Sequence, residues 1–95
     1  MTRLEQLRAQ AAEIRLIAAR HKASGVAVFG SVARGEDGPN SDVDFLVDFE
    51  RGSTLGDVYY LQKELEEFLN ISVAVVSRGG LKPRDNRIRA EALAL

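Results

Sequence analysis

Val26-Ala27-Val28-Phe29-Gly30-Ser31 and, after a short loop, Ser41-Asp42-Val43-Asp44-Phe45-Leu46-Val47 are the stretches whose reading decides the fold. The first reads as a short buried strand that breaks at a Gly-Ser pair, and the second as a strand opening with two alternate carboxylates. A strand repeats every two residues, so Asp42 and Asp44 point to one face, their Cα atoms about 7 Å apart. Two carboxylates converging in this way suit a hard cation such as Mg²⁺, which takes oxygen ligands. Gly30 allows close approach to the backbone, and Ser31 adds a hydroxyl where a helix can begin. A cation between carboxylates and phosphates, with donors at the far end, is the general plan of a nucleoside-triphosphate site. Each half alone has a plainer reading: Gly-Ser is commonly a turn, and Asp-x-Asp a solvated strand end.

Joined, the halves say more. Gly30-Ser31-Val32-Ala33-Arg34-Gly35-Glu36, followed by Ser41-Asp42-Val43-Asp44, resembles the signature of the minimal nucleotidyltransferases of the DNA polymerase β superfamily. That signature is Gly-Ser, ten residues, then Asp-x-Asp, and Val32 to Ser41 supplies the ten. Gly80-Leu81-Lys82-Pro83 and Arg89-Ala90-Glu91-Ala92 look like the family's closing segment, so the resemblance covers most of the chain. It implies that Gly30 and Ser31 bind the nucleotide, and that Asp42 and Asp44 are catalytic and hold Mg²⁺. It also implies a donor, ATP or another nucleoside triphosphate, and a HEPN-domain toxin partner whose hydroxyl receives AMP. At one position the chain departs from the pattern. The third carboxylate usual on the last strand is replaced by Ala74, within Val73-Ala74-Val75-Val76. The departure keeps an alternative open: a degenerate nucleotide-binding module that neutralises its partner by occlusion.

The rest of the chain bounds these readings. Ninety-five residues, 45% hydrophobic and 28% charged, fit one domain over 1–95 with a single core. Thirteen basic and 14 acidic residues nearly balance, which argues against a basic face for direct nucleic-acid binding. No cysteine and one histidine exclude disulfides, thiolate zinc sites and multi-histidine centres. No run has the length of a membrane span, so no membrane role is expected and a cytoplasmic location is the default. Homo-oligomers stay open.

Periodicity predicts a helix from Met1 to Lys22, with Thr2 and Glu5 as a capping box and Leu4, Leu7, Ala11, Ile14, Ile17 and Ala18 as its apolar stripe. His21 reads as a solvated C-terminal cap, favoured by the helix dipole. Strands follow at Val26–Phe29, Asp42–Asp48 and Ile71–Val76, with a short helix at Ser31–Arg34. Arg34 suits either a phosphate oxygen or an ion pair with Glu36 or Asp37. Asp48 shares the parity of Asp44 but lies about 13 Å along the strand, too far to join one ion. A longer helix runs from a Ser53 or Thr54 cap to Leu69, burying Val58, Leu61, Leu65, Phe68 and Leu69. Tyr59 and Tyr60 read as packing residues. A last helix, capped by Asp85, places Ile88, Ala92 and Leu95 on one face. The expected fold class is α/β of α+β type, a small three-stranded mixed sheet with flanking helices; the mixed sheet is what the family resemblance implies.

Overall fold

The computed structural model describes residues 1–95. It is built on a four-stranded sheet of order β3-β2-β1-β4, with β1 at Ala23–Phe29, β2 at Val43–Phe49, β3 at Val73–Ser77 and β4 at Leu93–Ala94. β1 runs antiparallel to β2 and to β4, whereas β2 and β3 are parallel. A parallel pair needs a long crossover, and the helix α4, Leu55–Leu69, supplies it. Thr54 caps α4 by accepting from the Asp57 amide, and Asp57 returns a bond to the Thr54 amide at 2.7 Å.

Alternation along the strands sorts side chains onto two faces. Val26 and Val28 of β1, Val43, Phe45 and Val47 of β2, and Val73 of β3 enter the larger core, under Leu61 and Leu65 of α4. Ala27, Phe29 and Leu46 form a smaller cluster on the opposite face, covered by Val76, Leu81, Ile88 and Ala92. Asp44 and Ala74 have the parity of this second face.

Six expectations change, four of them in the elements themselves. The sheet has four strands rather than three, because the chain turns extended at Ala92 and lays Leu93 and Ala94 beside Val28 and Ala27. The final helix, α5, is therefore Asn86–Glu91, and Leu95 joins the larger core while Ile88 and Ala92 pack on the other side. Asp85 precedes α5, but its carboxylate accepts from the Lys82 amide at 2.8 Å and so closes the preceding turn. The N-terminal helix is two, α1 at Arg3–Ala9 and α2 at Ala11–Ala19, with the capping box at Thr2 and Glu5 as expected. The break at Gln10 lets α1 reach the short helix α3, Gly30–Arg34, while α2 packs on β1.

His21 is not a solvated cap. Its ring is 19% exposed and meets the Glu64 carboxylate at 2.7 Å, a group that Arg20 also pairs with. These partners, the imidazole first, hold the Glu64 carboxyl below its ordinary range. Phe68 is exposed rather than buried, because the stripe of α4 continues from Leu65 to Leu69. Tyr59 and Tyr60 lie on the surface, edge to face with ring centroids 5.2 Å apart. No helix is long and apolar enough to cross a membrane.

Candidate active site

β1 ends at Phe29 and the chain turns at once into α3 through Gly30, whose φ of +75° favours glycine. A side chain there would also overlap Asp44 Oδ2. The glycine is thus required twice, by its own backbone and by the carboxylate beside it. Phe29 stands opposite Asp44 in the β1–β2 ladder, which carries the Gly30-Ser31 turn to the start of β2. Gly35, at φ +72°, ends α3. The returning loop closes where the Ser41 hydroxyl accepts from the Gly38 amide at 2.9 Å. Asp42 is exposed just before β2, and Asp44 is half-buried as its second residue.

The electrostatics follow from this crowding. Burial pushes the Asp44 carboxyl above its ordinary pKa, and the neighbouring charge of Asp42 pushes in the same direction. A cation would relieve both effects. No cluster of three or more acidic, histidine or cysteine side chains is placed to hold a metal ion. In the β2–β3 ladder Ala74 lies directly beside Asp44, where a third carboxylate would stand. The residues present fit Mg²⁺ in one sense: this ion commonly takes one or two carboxylates and completes its shell with water and substrate phosphates.

Arg34 takes the ion-pair arrangement, with Glu36 rather than Asp37, and adds Glu91. Its Nε donates to Glu36 at 2.8 Å, and its Nη1 donates to both oxygens of Glu91, at 3.1 and 3.0 Å. Glu91 Oε1 also accepts from the Gly30 amide at 2.9 Å. Sequence reasoning gave Glu91 no role; the only signal was its place in the closing segment. Asp48, excluded from the ion by distance, instead accepts from Arg78 Nε at 2.7 Å. The largest concavity, about 540 Å³, lies between the N-terminal residues and α3, and neither Asp42 nor Asp44 lines it.

A carboxylate at the head of β2 against a Gly-Ser turn, with a second just before the strand, on a mixed sheet with a helical crossover, is the arrangement the sequence resemblance implies for a nucleotidyltransferase. The model of the nucleotidyltransferase domain family matches residues 12–94, and the chain belongs to that family of enzymes. It is similar to a solved structure described as a candidate minimal nucleotidyltransferase, with 47% identity and a TM-score of 0.86 over 100% of this chain and 97% of that one. A candidate protein adenylyltransferase of Methanocaldococcus jannaschii is 39% identical over 75 residues, 78% of this chain and 81% of the relative. A toxin–antitoxin structure with AMP-PNP shares the fold at a TM-score of 0.75, with 19% identity over 87% of this chain and 69% of that one.

Proposed function

We propose that this chain transfers AMP from ATP to a hydroxyl of a partner protein, with Mg²⁺, and so acts as the antitoxin of a HEPN-type toxin in the cytoplasm. The observation that carries the reading is the meeting of the Gly30-Ser31 turn with Asp44 at the head of β2. The relative named as a protein adenylyltransferase supports the acceptor class, and the toxin–antitoxin assembly of the same fold supports the partner. In this reading Gly30 and Ser31 hold the triphosphate, and Asp42 and Asp44 hold the metal. Bound there, Mg²⁺ supplies charge neutralisation at the phosphates. The acceptor oxygen forms a bond to the α-phosphorus, its proton is lost to solvent or a base, and pyrophosphate leaves.

Ala74 beside Asp44 favours a second reading, a binding module that occludes its partner with little transfer. Labelled ATP, Mg²⁺ and the partner separate the two. Label on the partner, reduced at least about a hundredfold by Asp44→Asn, is the expected result, within the range over which a positioned catalytic group acts. A stable complex that binds ATP but never labels the partner would establish the occluding module. Calorimetry showing equal ATP binding by wild type, Asp42→Asn and Asp44→Asn, with or without Mg²⁺, would remove the site altogether.

A further inference from the structure

We propose that Glu91 is a positioning residue for this site, clamping the Gly30-Ser31 turn and Arg34 in one arrangement beside Asp44; the role rests on the nucleotidyltransferase reading above. One carboxylate takes three donor contacts. Oε1 accepts from the Gly30 amide at 2.9 Å and from Arg34 Nη1 at 3.1 Å, and Oε2 accepts from the same Nη1 at 3.0 Å. The Glu91 side chain is only 17% exposed, against 41% for Arg34. Charge-assisted bonds of this kind are roughly twice as strong as neutral ones.

The clamp is anchored on both sides. Before Glu91, Ile88 packs on the cluster of Ala27, Phe29 and Leu46, and after it Ala92 does the same. Leu93 then pairs with Val28, and the Leu95 amide donates to the Val26 carbonyl at 3.0 Å. The backbone at position 91 therefore cannot drift without breaking β4 from β1. At the other end of the clamp is a glycine at positive φ, the residue type with the most conformations to lose. The Gly30 amide is the main reason that the Glu91 carboxyl is held below its ordinary range.

The clamp has a second effect, on Arg34 itself. Arg34, already engaged by Glu36 and Glu91, is then a part of the frame rather than a free phosphate-binding cation.

Amide hydrogen exchange of Gly30, with calorimetry of Mg-ATP binding, tests the proposal on the full chain. Loss of a bond to a charged group should speed Gly30 exchange about ten- to a hundredfold in Glu91→Ala. The Val26 and Val28 amides should keep wild-type rates. Glu91→Gln, which retains one acceptor without the charge, should fall between and carries the test should Glu91→Ala fail to fold. Mg-ATP affinity should drop about tenfold in Glu91→Ala and less in Glu91→Gln. Unchanged Gly30 exchange, or equal acceleration along β1, would overturn the clamp. Selective acceleration with unaltered Mg-ATP affinity would overturn the positioning role. A wild-type chain that binds no Mg-ATP would instead overturn the nucleotidyltransferase reading and the positioning role with it, leaving the exchange data to report the clamp alone.

Discussion

The two faces of the sheet are made by the same strands and do different work. On one, Val28, Val43, Phe45 and Val47 are fully buried beneath Leu61 and Leu65. On the other, Ala27, Phe29 and Leu46 make a patch of three, and the parity continues into Asp44, Asp48 and Ala74. Alternation lets a 95-residue chain keep a full apolar layer while placing half-buried carboxylates one residue away. The two faces should therefore answer mutation differently, one through stability and the other through ligand binding.

The largest effect expected is for Phe45→Ala on the apolar face. Phe45 is fully buried, and truncations of this kind cost about 3–5 kcal/mol. Denaturant melts should show that loss, and one below about 1 kcal/mol would dissolve the contrast between the faces. Gly30→Ala comes next. The positive φ alone costs about 1–2 kcal/mol for a residue with a Cβ. The new methyl must also displace the end of Asp44, so Mg-ATP binding should fall by more than the stability change explains. Calorimetry and melts on one sample would show this split.

Asp44→Asn should have the smallest effect on stability, and of the opposite sign. The folded protein raises the Asp44 pKa by burial and by Asp42, so the native state binds its proton more readily than the unfolded chain. The favourable contribution is full below the unfolded value of 3.8 and is lost as pH rises through the higher folded value. At pH 7 the metal-free asparagine variant should therefore melt slightly above wild type, a gain that disappears near pH 3. A lower Tm for the variant at pH 7 would mean that Asp44 serves the fold as well as the site.

What was legible in the sequence follows from the range of each signal. The capping box at Thr2, the Ser53-or-Thr54 cap of α4, and the stripe through Leu7, Ile14 and Ala18 are local patterns, and the structure repeats them, choosing Thr54 as the cap. β4 was not legible because two residues carry no period, and Ile88 and Ala92 are spaced for a helix face that ends at Glu91. His21 was assigned from its own helix, whereas its partner Glu64 comes from another element. Glu91 was missed for the same reason. It meets Gly30 across 61 positions, a contact that no spacing rule reaches.

That separation has a consequence in time. Every buried residue of the larger core lies between Leu7 and Val73, so the apolar face can collapse before the closing segment joins it. The Gly30 amide must wait for Glu91 and for β4 to reach the edge of β1. Long-range contacts must offset loop-closure entropy before they form, and edge segments with few buried apolar contacts are among the first to open. During synthesis, then, the turn and the carboxylate pair are both made before the side chain that fixes the turn. The clamp on Gly30 is thus complete only once this closing segment has docked on β1.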